Sequence, residues 1–328
     1  MPGSERERLG AERDRAARER KRLREEIDRR ALELPSAKAK AASGLDRTDG
    51  AFLGDEFVDP SSYIIMNRSH PIQQSNNKDA PHLNDVAMAV FIAGHYMNSA
   101  SYYGIQVTSD VYTFSINQDE KSGIFIQINN AGDSDSNLNG ISVGWHVHPA
   151  IYGDSNTHLF VLWTRDGYQK TGCYNLECPG FVPEANVPFV PGVTINAVSD
   201  PDGVKRSIIF KVFKDSVGDW LVHIGFDSEP YLIGRFPKSI FTSLGDKASD
   251  IRIYGAVRTR TTYMTPMGSG FMSNSNKAAS FSDIKLIDQN GHMSLVTQGA
   301  PDFVDDQAIY SVSPISPEVR FTYGGPSV

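Results

Sequence analysis

Long apolar runs are missing from this 328-residue sequence. No stretch reaches the roughly 18 consecutive apolar residues that a membrane-spanning helix needs, which argues against a membrane partner. The first residues are charged and include no apolar segment of the kind found in a secretory signal peptide, and this absence alone favours a cytosolic protein. With 40% hydrophobic residues, the chain still has enough apolar material for one large domain or two ordinary ones.

Aromatic residues are absent from residues 1–34, whose composition differs from the rest of the chain. This segment holds 11 Lys/Arg and 9 Asp/Glu, with opposite charges three and four residues apart, so it is predicted to be a solvated helix or a disordered extension. Because these charges nearly cancel, we expect no nucleic-acid partner. Residues 35–60, rich in Ala, Ser, Gly and Asp, are predicted to form a linker, and residues 61–328 the main domain.

Clear helical periodicity is scarce after residue 60. Most apolar segments are short and rich in Val, Ile, Phe, Tyr and Thr, and several alternate with polar residues, as half-buried strands do. No strand–helix rhythm is visible, so the sequence predicts an all-β fold, an antiparallel sandwich of two sheets. The predicted strands are YGIQVTSDVYTFSI, GIFIQI, ISVGWHVH, HLFVLWT, VTINAVS, RSIIFKVF, DWLVHIGF, DIRIYGAV and FSDIKLID. Residues 79–94 fit either a helix or a strand, and residues 239–249 are predicted to form a short helix.

Cysteine is also scarce, since Cys173 and Cys178 are the only two in the chain. A zinc site needs about four ligands, commonly from two such pairs, and no second pair exists. A thioredoxin-like redox site uses two cysteines separated by two residues at a helix start, whereas four residues separate these. A local disulfide is the simplest interpretation. It favours an oxidising compartment, in conflict with the missing signal peptide.

Several long motifs follow one another in a fixed order. They are YYGIQVTSDVY, WHVHPAIYGDSNTHLFVLWTRDGYQKTGCYNLECPGFV, KDSVGDWLVHIG, IGRFPKSIFTSLGDKASDIRIYGAV, MGSGF and, near the C-terminus, YGGP. This series resembles the neprosin family, a plant-dominated family named after a prolyl endopeptidase, over about 225 residues. The resemblance implies a secreted β-sandwich whose characterised members are glutamic peptidases that cut after proline.

In that family two glutamates on facing strands carry the reaction, one as the base and one as the acid. The resemblance places one of them two positions before Gly-Trp, where this sequence has Ser142. It places the other in a Gly-Gly-Glu-Val turn, where this sequence has Ala256. Neither Ser nor Ala can act as a carboxylate acid or base, so we expect no intact catalytic dyad.

Five residues near these two positions are candidates for lining a groove: His146, His148, Trp145, Tyr254 and Arg258. The histidines either line a polar groove or are satisfied by neighbours; with Asp154 or His158 they also fit a metal site, although we expect no metal or cofactor. Trp145 fits either the core or a peptide-stacking surface. Arg258 lies on the same strand face as Tyr254. This face could line a groove that binds an acidic peptide, or it could be a solvated edge whose charges are paired across strands.

The sequence therefore predicts a catalytically impaired member of the neprosin family that binds a proline-containing peptide or protein. Two alternatives remain: an active prolyl endopeptidase that uses other groups, and a non-catalytic sandwich that binds cell-wall carbohydrate. The resemblance and the cysteine pair favour a secreted protein, although no signal peptide is visible.

Overall fold

The computed structural model describes residues 88–131 and 137–326, and within them the chain forms two antiparallel sheets. The strands are β1 (Met88–Tyr102), β2 (Gly104–Asp110), β3 (Lys121–Asn130), β4 (Asn139–Val147), β5 (Thr157–Thr164), β6 (Cys173–Tyr174), β7 (Val182–Pro183), β8 (Ser207–Lys214), β9 (Trp220–Phe226), β10 (Tyr231–Phe236), β11 (Ala248–Arg260), β12 (Met267–Gly268), β13 (Ala279–Ile287), β14 (Met293–Leu295), β15 (Asp302–Val304), β16 (Ser311–Val312) and β17 (Arg320–Gly325). One short helix, α1 (Pro149–Tyr152), follows β4. Two 3₁₀ turns, Lys238–Ile240 and Ser243–Gly245, precede β11.

The first sheet has seven strands in the order β15-β1-β11-β3-β4-β5-β6. The second sheet has the order β12-β17-β13-β2-β8-β9-β10-β7, with β14 added on β13 and β16 on β17. A large apolar core joins the two sheets, with Ile126 of β3, Val143 of β4 and Phe210 of β8 among its members. The prediction of an all-β antiparallel sandwich is confirmed.

Strand alternation gives the seven-stranded sheet two different faces. On β4, Ile141, Val143 and Trp145 belong to the core between the sheets. The residues between them, such as Ser142 and His146, therefore project from the opposite side, which we call the outer face. The same alternation along β3 and β11 places Phe125 and Tyr254 on this outer face.

Residues 88–94 form part of a strand, since β1 runs through them and pairs with β11 along most of its length. This settles that part of the ambiguous segment 79–94. The predictions for residues 1–34 and 35–60, and for 61–87 of the main domain, lie outside the described residues.

The helix predicted over residues 239–249 is wrong, because the segment forms two separate 3₁₀ turns before β11 begins. Asn139, about 100 residues earlier in the chain, explains the interruption. Its Oδ1 accepts hydrogen bonds from the backbone N–H of Thr242 at 2.7 Å and of Leu244 at 3.4 Å. These N–H groups therefore donate to a side chain of β4 and not to the carbonyl groups of a continuous helix. The strand predicted at VTINAVS is also wrong, because that segment makes only a single bridge, between Thr194 and His158.

Cys173 and Cys178 form a disulfide, as the sequence predicted. Cys173 lies in β6 and pairs with Trp163 of β5, so the disulfide closes the loop that holds Tyr174 against the outer face. Within the described residues no helix has the length and apolarity needed to cross a membrane.

Replacing both cysteines by serine is expected to lower the melting temperature by several degrees. Closing a ring of about six residues stabilises the folded state by about 2 kcal/mol on the chain-entropy model. In a domain of this size each kcal/mol corresponds to roughly 2–4 °C. Calorimetry of the variant and of the reduced unmodified protein checks the effect. An unchanged melting temperature, or two thiols that alkylate freely in unreduced protein from an oxidising compartment, would contradict it.

Candidate functional site

Ser142 and Ala256 both lie on the outer face, in two different rows of cross-strand partners. Ser142 belongs to the row Tyr96–Arg252–Gln127–Ser142–Leu162–Tyr174. Ala256 belongs to the row Ile92–Ala256–Gly123–His146–His158.

The register separates Ser142 from Ala256 by one intervening strand and four residues along the strands. That corresponds to about 13 Å along the strands and about 10 Å across them, from a rise of ~3.3 Å per residue and a strand spacing of ~4.8 Å. Two glutamates at these positions could approach a common peptide bond from two sides, but they could not hydrogen-bond each other directly. As the chain stands, neither position supplies a carboxylate.

Between these positions the outer face is apolar and buried. Phe125 and Tyr254 stack with ring centroids 5.4 Å apart and an interplanar angle of 10°. Phe125 also contacts Phe160 at 5.0 Å, and Tyr174 of β6 packs against the same group. Ser142 and Ala256 are each only 1% exposed. Tyr254, a groove candidate, therefore belongs to an aromatic cluster with Phe125, Phe160 and Tyr174.

Trp145 is the one groove candidate that the structure places on the other side of the sheet. Its side chain is 0% exposed in the core between the sheets, and its Nε1 donates a hydrogen bond to the carbonyl of Asp110 at 3.0 Å. The pleat of β4 sends it away from His146, so Trp145 does not line the outer face.

His146, His148 and Arg258 lie together at one end of the outer face, with a fourth residue that the sequence analysis missed, Lys121. We call these four residues the basic cluster. Lys121 pairs with Arg258 across β3 and β11, and the rings of His146 and His148 are 5.4 Å apart. The sequence offered one signal for Lys121: it stands two and four residues before Gly123 and Phe125, which is outer-face spacing along a strand.

Lys121 is 3% exposed and is surrounded by rings rather than by carboxylates. Its Nζ lies 4.6 Å from the ring centroid of Phe125 and donates a hydrogen bond to the hydroxyl of Tyr174 at 3.3 Å. Burial, and secondarily the charge of Arg258, lowers the pKa of Lys121 to about 7. Its ammonium therefore gains or loses a proton near neutral pH.

Tyr152 of α1 fixes the orientation of His146. The Nδ2 of Asn175 donates to the Tyr152 hydroxyl at 3.1 Å, while the Oδ1 of Asn175 accepts the N–H of Val161 at 3.1 Å, so the amide orientation is determined. The Tyr152 hydroxyl lies 2.9 Å from Nε2 of His146. With its oxygen already accepting from Asn175, the hydroxyl is free to donate its proton to Nε2, which leaves the ring hydrogen of His146 on Nδ1.

The histidines of the basic cluster are held neutral. Burial, followed by the charge of Lys121, lowers the pKa of His146 well below its ordinary value. The same two causes, with Arg258 added, lower the pKa of His148 to about 2.

His158, suggested as a metal ligand, is engaged elsewhere. Its Nε2 lies 3.0 Å from Oδ1 of Asp154, and its Nδ1 lies 2.9 Å from the carbonyl oxygen of Gly192. Its ring also stacks on Tyr152 with a centroid distance of 3.8 Å. In residues 88–131 and 137–326, no three His, Cys, Asp or Glu residues are grouped so that they could hold a metal ion.

The free energy of unfolding is expected to rise as the pH increases from about 7 toward 10, by an amount that depends on Lys121. The folded-state pKa of Lys121 is lowered to about 7 from an unfolded value of 10.5. Between these values the unfolded chain binds the extra proton, so stability increases with pH. Denaturant unfolding at several pH values should show a smaller rise for Lys121→Met.

Lys211→Met is the matched control, since Lys211 is a half-buried strand lysine of the other sheet, 4.9 Å from the Phe213 ring centroid. It should keep the slope of the unmodified protein. Identical pH slopes for Lys121→Met and the unmodified protein would show that Lys121 is not buried as described.

We compared the chain with solved structures and with protein-family models. Among solved structures, Scytalido-glutamic peptidase with a peptide-based transition-state analogue is 11% identical with a TM-score of 0.41, covering 73% of this chain and 99% of that one. SCP-B, a member of the Eqolisin family of peptidases in complex with the tripeptide Ala-Ile-His, is also 11% identical with a TM-score of 0.40 and the same coverages. TM-scores below 0.5 are too low to assign an activity. The Neprosin family model matches residues 118–326, more than half of the 328 residues, and the chain belongs to the Neprosin family.

Proposed function

We propose that this protein is a peptide-binding member of the Neprosin family without prolyl endopeptidase activity. The observation that carries the proposal is the pair Ser142 and Ala256, both buried on the outer face at the positions where the sequence resemblance places the two glutamates. A serine hydroxyl and a methyl group cannot exchange protons with water or a peptide carbonyl as carboxylates do. Loss of a general acid or base costs about 10²–10⁴-fold in rate, and here both are replaced.

Binding of a proline-containing peptide is supported by the aromatic cluster. Phe125 and Tyr254 are only 3% and 1% exposed, so the apolar area open to a proline ring is that of the half-buried side chains packed on the cluster, Val90, Ile151, Tyr168 and Phe303. The catalytic positions can therefore be lost while apolar contacts with a peptide remain. The disulfide between Cys173 and Cys178 supports an extracellular location, because disulfides persist in oxidising compartments.

One carboxylate favours the alternative of an active peptidase that uses other groups. Asp305 accepts a hydrogen bond from the N–H of Ile92 at 2.9 Å, and Ile92 is the cross-strand partner of Ala256. Partial burial of the carboxylate raises the pKa of Asp305 to about 6. Asp305 nevertheless lies beyond β1 at the β15 side of the sheet, with β11 and β3 between β1 and the strand of Ser142.

The unmodified protein is expected to leave a proline-containing reporter peptide uncut from acidic to neutral pH. The double variant Ser142→Glu/Ala256→Glu should gain cleavage, highest at acid pH, and each single variant little, because an acid without its base leaves most of the barrier in place. The matched control is Ser142→Gln/Ala256→Gln, which has the same side-chain size without a carboxyl group. Thermal melts of both double variants check that the buried substitutions are tolerated.

Robust turnover by the unmodified protein that survives Ser142→Ala would contradict the proposal. If that turnover disappears in Asp305→Asn, the alternative with other catalytic groups is correct.

A further inference from the structure

We propose that the basic cluster of Lys121, His146, His148 and Arg258 is a binding site for a carboxylate of the bound peptide. This inference rests on the proposed function, since it names the chemistry of the ligand at one end of the same outer face.

The two cations of the basic cluster, Lys121 and Arg258, have no carboxylate partner among the residues that the structure describes. In the described part of the chain, Lys121 donates only to the Tyr174 hydroxyl, and neither Lys121 nor Arg258 forms an ion pair. A buried ammonium that lacks an anionic partner carries a large desolvation cost. A ligand carboxylate would offset that cost, because charge-assisted hydrogen bonds are among the strongest in proteins.

His146 supplies a third donor. The bond from Tyr152 to Nε2 leaves the hydrogen of the imidazole on Nδ1, and that atom is buried without a hydrogen-bond partner. Nδ1 of His148 is likewise buried without a partner. Native structures leave few such groups unsatisfied, and those that remain often mark a functional site.

The carboxylates nearby are bonded to other partners or face other groups. Glu120, directly before Lys121 in the chain, is buried, and its Oε2 accepts hydrogen bonds from the backbone N–H and the side-chain amide of Asn117. Asp119 lies within the electrostatic reach of Arg258, but its carboxylate is bonded to Arg260, with contacts of 2.9 and 3.2 Å. Asp154 is bonded to His158. Glu177 is exposed and lies near Tyr152.

The surroundings of the cluster favour a peptide over an acidic polysaccharide. The His146 ring stacks on Phe160 at 4.3 Å, and Phe125 lies below the ammonium of Lys121. A polyuronate carries a carboxylate on every sugar and hydroxyl groups all round, and an apolar wall would leave those hydroxyl groups unpaired. A peptide combines one carboxylate with apolar side chains, which matches one pair of cations beside an aromatic cluster.

Carboxylate binding should strengthen as the pH falls through about 7, where Lys121 becomes charged. The groups that face Lys121 are Arg258 from β11, His146 from β4, His148 at the start of α1 and Tyr174 from β6. The pKa of His148 is lowered to about 2 and that of His146 well below its ordinary value, so the change in charge near pH 7 is that of Lys121. A ligand carboxylate remains ionised down to about pH 4, which sets the lower limit of the window.

Fluorescence anisotropy with three labelled proline-containing peptides tests the inference. The first has one internal Glu and an amidated C-terminus, the second has Gln in place of Glu, and the third is the Gln peptide with a free C-terminal carboxylate. At pH 6 we expect the peptide with the matching carboxylate to bind about 10-fold or more tighter than the amidated Gln peptide, as expected for a charge-assisted hydrogen bond. Comparison of the first and third peptides shows whether a side-chain or a terminal carboxylate is bound.

The preference should be lost in Lys121→Met and reduced in Arg258→Gln, and it should remain in the control Lys211→Met. Arg258 is half-buried, so its variant keeps the test valid if Lys121→Met fails to fold.

Equal binding of all three peptides would overturn the carboxylate site and leave the proposed peptide binding intact. Absence of binding by every peptide would overturn both. Tight binding of an oligouronate, with the same dependence on Lys121 and no peptide binding, would assign the cluster to an acidic carbohydrate and refute the inference.

Discussion

The pleat of the seven-stranded sheet is the constraint on which the site depends. Alternate side chains of a strand face opposite sides, and a slip of one residue would exchange the two faces. On β4 this sends Trp145 into the core and His146 to the outer face. The pairing of β11 with β3 and of β3 with β4 then sets Ala256 in the same row as His146 and places Lys121 beside Arg258.

This register also decides which charged groups lie next to one another on the outer face. Ala256 lies one outer-face position from Arg258 along β11, so a glutamate there would stand close to two cations. The methyl group of Ala256 leaves Lys121 and Arg258 without that charge. Under the proposed function, the same absence of a carboxylate at position 256 accounts both for the expected lack of catalysis and for the positive charge of the basic cluster, which is unpaired within the described residues.

The sequence predicted the sandwich and the disulfide because both depend on local patterns, namely alternating β-branched and aromatic residues and a short loop between two cysteines. It could not predict the two 3₁₀ turns before β11, because Asn139, about 100 residues away, draws in the N–H groups of that segment. Lys121 was missed for a similar reason. Its burial depends on Tyr174, which the disulfide loop brings from more than 50 residues further along the chain.

The most direct test of the account is an NMR titration of the lysine ε-carbons in protein labelled with ¹³C at that position, with Lys121 assigned from Lys121→Met. The account predicts one lysine that titrates with a midpoint near 7, far below the ordinary 10.5, and whose midpoint rises when the carboxylate-bearing peptide is added. A Lys121 resonance that titrates with the exposed lysines, and that the peptide leaves unmoved, would contradict it.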